Sequence, residues 1–253
     1  MIIDLGAGAP VRPVITFKIG DTEYRYTGTD IDITGKLKLT ADGTSGWKMW
    51  VYDSLNFTFN FIASKIDICA VGHGAVGNRG TTTSDSDGVG GPGGKGGQVI
   101  NELNYTDVRS GDQFVINIFD NAGNPDQQST ESQTIVTQKR DNAVLKTWSP
   151  TTGGGANGGV GLWWVNGGIE RDSTSGADGT YAFNDSTFDN IKYAPGGGGG
   201  TFTQAHDPGT PEWMPTGATV DALGCGGGGA MGTNWRIPPG QGKKGVVLMR
   251  FKP

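Results

Sequence analysis

Apolar and polar residues alternate with a period of two through the N-terminal part of the chain. Ile15, Phe17 and Ile19 are separated by Thr16 and Lys18; Tyr24 and Tyr26, Ile31 and Ile33, and Leu37 and Leu39 repeat the spacing. Leu55, Phe57, Phe59 and Phe61 alternate with Asn56, Thr58 and Asn60. This is the signature of half-buried strands, whose side chains point to opposite faces in turn. Gly20-Asp21 and Asp42-Gly43 read as turns between them. Gln98 to Leu103, Gln113 to Phe119, Ala143 to Trp148 and Val246 to Phe251 read as further strands. No segment shows convincing helical periodicity, and Asp126 to Val144 is the only stretch where a short helix could hide.

A second rhythm interrupts the strands. Gly88, Gly91, Gly94 and Gly97 recur every third residue, and so do Gly90, Gly93 and Gly96, so that Val89, Pro92 and Lys95 alone carry side chains. Three residues per turn, without internal hydrogen bonds, is the geometry of a polyproline-II-type helix. Gly74, Gly77 and Gly80 repeat the spacing, as do Gly155, Gly158 and Gly161, and Gly226, Gly229 and Gly232; Gly196 to Gly200 form an unbroken run. Backbone groups unpaired within such a rod must pair between rods, which predicts a bundle of polyglycine-II helices. Flexible linkers are the alternative reading. Against it, the tracts contain no serine and abut hydrophobic strands such as Ile66 to Val71 and Val246 to Phe251. The expected class is therefore mainly β with a glycine-rich polyglycine-II bundle and almost no α-helix, divided at residues 1–66 and 67–253.

Composition narrows the picture. Glycine supplies 46 of 253 residues, so an apolar core alone would be thin and backbone packing must carry unusual weight. A net charge of −5 is too small to make disorder the default. The same mild acidity disfavours a nucleic-acid partner. Met1-Ile2-Ile3-Asp4 lacks the basic start of a signal peptide, and no run is long enough to insert in a membrane.

Candidate chemistry is sparse. Gly72 to Gly77 matches GxGxxG, yet the sequence after it, Asn78 to Asp85, cannot open the helix a dinucleotide site needs. Gly93-Gly94-Lys95-Gly96 lacks the hydroxyl residue and the earlier glycine of a phosphate loop. The two histidines, His73 and His206, lie outside any nucleophile motif. Asp120, Asn121, Asn124 and Asp126 do not fit a calcium loop. No catalytic residue, metal or cofactor is expected. Cys69 and Cys225 each border a glycine segment, and their pairing is open.

The order of segments carries a resemblance. IDICAVGHGAVGNRG, QVINELNY, DQFVINIF, DSTFDNIKYAPGGGGG and the closing GQGKKGVVLMRF resemble the glycine-rich domain of bacteriophage tail-fibre proteins. The chain is also similar in its expected architecture to the polyglycine-II sandwich adhesins that cap phage long tail fibres. The likeness spans roughly residues 45–253, although GHGAVGNRG and GQGKKG are shorter and less pure than the family's tracts. It implies a virion protein of the tail fibre or tail tip that attaches to other tail or baseplate proteins through its N-terminal region. As a homotrimer or a monomeric fibre cap, it would bind a bacterial surface glycan or outer-surface protein through its loops. A structural virion or assembly protein is the alternative, followed by a polysaccharide-degrading tail protein. Ice binding is a more distant one, since Val89, Pro92 and Lys95 do not offer a repeated small residue.

Aromatic residues gather between the tracts. Trp163 and Trp164 follow one tract, Asp172, Tyr181 and Asp185 lie in the same insertion, Phe202, His206 and Trp213 in the next, and Trp235 in the last. Rigid rings with adjacent acids and amides suit a recognition surface. Equally, rings beside a tract can plug the small core beneath it, and for Trp163 and Trp164 both readings stand. The insertions 162–190 and 201–223 are the longest and are the expected receptor loops.

Overall fold

A computed structural model describes residues 2–4, 15–19, 22–26, 31–33, 35–42, 46–59, 65–78, 81–84, 87–119, 132–161, 163–165, 168–171, 174–197, 223–225 and 242–252. The strands, in chain order, are β1 (Ile2–Asp4), β2 (Ile15–Ile19), β3 (Thr22–Tyr26), β4 (Ile31–Ile33), β5 (Leu37–Asp42), β6 (Gly46–Val51), β7 (Leu55–Phe59) and β8 (Lys65–Val71). Then come β9 (Thr81–Ser84), β10 (Asp87–Val89), β11 (Val99–Tyr105), β12 (Gln113–Phe119), β13 (Gln133–Arg140) and β14 (Ala143–Trp148). Finally there are β15 (Trp163–Val165), β16 (Gly168–Arg171), β17 (Thr180–Tyr181), β18 (Lys192–Tyr193) and β19 (Val246–Lys252). Among the described residues the protein is mainly β, and one short 3-10 turn, Ala182–Asn184, is the sole helical element.

Two sheets form a sandwich. The first runs β1-β3-β2-β7-β12-β13-β14 and the second β11-β8-β19-β6-β5-β4. Alternation dictates the filling between them. Phe114, Ile116 and Ile118 of β12 and Leu55 and Phe57 of β7 meet Leu37, Leu39, Trp47, Met49, Ile66, Ile68, Met249 and Phe251 of the second sheet. Phe57 stacks on Phe114 with ring centroids 5.2 Å apart and meets Phe251 edge-on. The second sheet is covered on its other face too. Cys69, Val71, Val246, Leu248 and Trp50 pack there against Phe183, Phe188, Tyr193 and Ala194. Burial on both faces explains why residues 68–71 of β8 and 246–249 of β19 read as continuous apolar runs.

Three expectations are corrected. Residues 132–144 hold β13, the turn at 141–142 and the start of β14, and no helix; 126–131 lie outside the described residues. The strand escapes apolar patterning because two of its inward positions are polar. Thr134, Val136 and Gln138 are all buried, and the Gln138 amide is satisfied by the Tyr105 hydroxyl, the Asp107 carbonyl and Asp112. Second, the sheets do not divide at residue 66. β2 and β12 flank β7, and β19 lies between β8 and β6, so segments from both sides of that position share each sheet. Third, Gly88 belongs to β10, paired with Thr82 and Trp164, and the glycine tract proper begins at Gly90.

Beside the sandwich, glycine tracts lie alongside one another. Gly72, Ala75 and Asn78 donate their N–H groups to the carbonyls of Gln98, Lys95 and Pro92, at 2.8–2.9 Å. The step is three residues on each side and the tracts run antiparallel. Gly93 and Gly96 donate in turn to Gly159 and Ala156, both at 2.8 Å. Thr174 and Ala177 donate to Val160 and Asn157, Gly197 to Gly94, Gly97 to Gly224, and Lys243 to Cys225. Between Gly90 and Gly97 every glycine is buried, whereas Pro92 and Lys95 are exposed. No Cβ fits on the inward phases. One at Gly94 or Gly97 would overlap the carbonyl oxygen of Ala75 or Gly72, and one at Gly155, Gly158 or Gly161 that of Gly97, Gly93 or Gly90.

Candidate functional site

The array has two ends. Gly72, Gln98 and Gly245 continue directly into or out of β8, β11 and β19, so that end is fixed to the sandwich. Asn78, paired with Pro92, and Gly161, which faces Gly90, lie at the far end. There the chain leaves the array to form β9 and β10 and then β15 and β16, which join in one sheet of order β16-β15-β10-β9. Trp163 and Trp164 stand in β15 opposite Val89 and Gly88. Two insertions that are distant in sequence are thereby tied into one unit by backbone pairing.

The remaining sequence-derived candidates separate into two groups. Asp172, Phe202, His206, Trp213 and Trp235 lie outside the described residues, as do Gly80, Gly226, Gly229 and Gly232. Tyr181 and Asp185 are described, and they sit beside the sandwich, not with Trp163 and Trp164. The insertion 162–190 is thus not one loop. Residues 174–179 pack as a further tract on 157–160, with Gly176 and Gly179 half-buried and Thr174, Ser175, Ala177 and Asp178 exposed. That three-residue spacing was present in the sequence, but only two glycines mark it, and the serine before them and the aspartate between them hid it.

Residues 180–194 then fold onto the outer face of the second sheet. Asp185 accepts from the N–H and hydroxyl of Thr187 and from Arg250 at 3.2 Å, and these bonds hold its carboxyl below the usual range. Its charge is spent on the fold. Tyr181 pairs with Lys192, whose ammonium lies 5.8 Å from the ring. Asp189 accepts from the Trp50 indole at 2.9 Å and the Tyr193 hydroxyl at 2.6 Å. Burial, then the Asp189 carboxylate, pushes the Tyr193 hydroxyl well above its ordinary range.

Buried carboxylates elsewhere are also engaged. Asp67 accepts from the Asn104 N–H at 2.8 Å, Arg250 at 2.9 Å and Lys252 at 2.7 Å. Burial opposes its charge, but these partners outweigh it and keep the carboxyl below its usual 3.8. Asp112 is held low in the same way, burial being overcome by Arg140, the Arg109 N–H and Gln138. Cys69 and Cys225 are both buried, and burial raises their thiols to about 12 and about 11. Among the described residues no group of three or more His, Cys, Asp or Glu is placed to hold a metal ion, and no helix is long and apolar enough to cross a membrane.

Two open grooves border the array. One, of about 720 Å³, runs over Ala75, Val76, Pro92, Lys95 and Asn157. The other, of about 500 Å³, lies nearer the sandwich between Gln98, Asn101, Asp178, Thr180 and Asn184. Sequence reasoning singled out neither, because amides and a threonine spread over separate segments have no spacing to detect. Comparison with known protein families, curated proteins and solved structures finds no match.

Proposed function

We propose that this chain is a phage tail-fibre or tail-tip adhesin that binds a bacterial surface molecule through segments held at the far end of a glycine-helix platform. One observation carries the reading: antiparallel tracts join backbone to backbone at three-residue steps and deliver β9–β10 and β15–β16 to the same end. Such steps are those of polyglycine-II rods. A platform of this kind fixes where loops start and stop while leaving their sequence unconstrained, which suits recognition by exchangeable loops on a rigid base. Binding is non-covalent and needs no cofactor.

The test is direct. Fluorescently labelled protein is added to a panel of bacterial strains, and phage adsorption is measured with and without excess unlabelled protein. Saturable adhesion to a subset of strains, with blocked adsorption on those strains, is the expected result. Trp213→Ala or Trp235→Ala is expected to abolish adhesion with an unchanged Tm. Absence of adhesion to every strain, with assembly defects in virions lacking the protein, would favour a purely structural virion role.

A further inference from the structure

The smaller groove is built in a way its neighbours do not require. Gln98 stands where the 90–98 tract enters β11. Its side-chain Oε1 accepts both the N–H and the hydroxyl of Thr151, at 3.0 and 3.2 Å. Asn101, in β11, uses its Oδ1 to accept the Phe183 N–H at 3.0 Å. An amide side chain has one carbonyl end and one NH₂ end. In both residues the carbonyl end is committed, so the orientation of the NH₂ end is fixed while its donors remain unspent among the described residues.

The same groove is also lined by acceptors. Asp178 gives Oδ2 to Lys192 at 2.6 Å, which balances its charge, and its side chain is 48% exposed. Thr180 adds an exposed hydroxyl and Asn184 an exposed amide. Asn184 is brought there by two successive left-handed residues, Phe183 at φ 57° and Asn184 at φ 56°. A left-handed phenylalanine is a backbone outlier. It persists because the Asn101 bond, burial of the Phe183 ring and Arg250, 5.2 Å above that ring, all hold it. Strain maintained by its surroundings is characteristic of sites where geometry serves binding.

The volume of about 500 Å³ falls within the range of small-molecule sites. Gln98 and Asn101 line this groove together with a carboxylate, a hydroxyl and a second amide, and Gly154 and Gly155 add backbone without side chains. Hydroxyl groups that donate and accept at once satisfy both sides of such a groove. The charge of Asp178 is already balanced by Lys192, so a charged ligand would add an uncompensated charge, and an apolar ligand would leave the donors unpaired. We infer that this groove binds a short neutral saccharide, as a site separate from the far end of the array. The inference rests on the adhesion reading for its ligand class, and it is tested without cells.

The experiment titrates the ¹⁵N-labelled full chain with maltose, lactose, cellobiose and chitobiose, following the side-chain NH₂ signals of Gln98 and Asn101. At least one sugar is expected to shift both pairs saturably. Gln98→Glu keeps the acceptor for Thr151 but replaces the donor with a negative charge, and is expected to weaken binding at least tenfold with unchanged Tm. Asn184→Gly, which preserves the left-handed backbone, is expected to weaken it as well. The inference fails if no sugar moves these signals, or if Gln98→Glu binds equally well. Failure here, with wild-type adhesion to bacteria intact, leaves the adhesion reading standing. Sugar binding by a protein that adheres to no strain would support the groove and remove that reading.

Discussion

Gly94 and Lys95 are neighbours in sequence and opposites in consequence. A Cβ at Gly94 would overlap the carbonyl oxygen of Ala75, whereas Lys95 is exposed. Gly94→Ala is therefore expected to cost about 3 kcal/mol, at the upper end of overpacking penalties because the obstructing atoms are backbone. Lys95→Ala should stay within about 0.5 kcal/mol; urea denaturation of the two variants provides the comparison. Similar losses at both positions would contradict the packing described. Acid stability belongs to the same scale. The carboxyls of Asp67 and Asp112 are held below their usual 3.8 in the folded protein. Their contribution is then full above the unfolded value, near pH 4, and is lost as pH falls through the lower folded values. Asp67→Asn removes the buried negative charge that Arg250 and Lys252 share, so it should lower stability at pH 7 by about 3 kcal/mol. It should also flatten the decline below pH 4 in a pH series of denaturation curves. The inward phases of 90–97 were legible in the sequence because glycine spacing reports them directly. The roles of Gln98 and Asn101 were not, since one amide among many shows no partner until the fold supplies it.

At the scale of elements, strands whose inward positions are apolar were readable, and those with polar inward positions were not. β12 and β14 fall where alternation places them, while β13, with Thr134 and Gln138 inside, reads as ambiguous sequence. The 174–179 tract was missed for a related reason: its outward phase carries polar residues typical of a loop. Its placement at the margin of the array has a measurable effect. Thr174 and Ala177 are bonded to neighbouring tract carbonyls but remain exposed, whereas Gly93 and Gly96 are buried between tracts. Amide hydrogen exchange is expected to be at least tenfold faster at Thr174 and Ala177 than at Gly93 and Gly96. The amides of β8 and β19, paired in the middle of a covered sheet, should exchange most slowly. Uniform rates across these sites would mean that the tracts do not open separately.

Across the whole molecule, the second sheet is the common wall of two cores, one facing the first sheet and the other facing Phe183, Phe188 and Tyr193. Neither core can come apart without exposing that sheet. A single calorimetric transition, with van't Hoff and calorimetric enthalpies in agreement, is the expected outcome; two resolved transitions would restore a boundary near residue 66. That boundary looked reasonable in sequence because glycine content rises after it. Composition, however, does not report which strands pair across it, and the insertion of β19 between β8 and β6 has no local signal. The glycine tracts also give the protein an unusual thermal character. They withdraw peptide groups from water with few apolar side chains, and hydration of peptide groups acts on the heat capacity of unfolding with the opposite sign to hydration of hydrocarbon. The heat capacity change per residue should then fall below the usual ~12–15 cal/mol/K, and the stability curve should be correspondingly shallow. A protein so built would hold its shape at nearly constant free energy over a wide span of temperature.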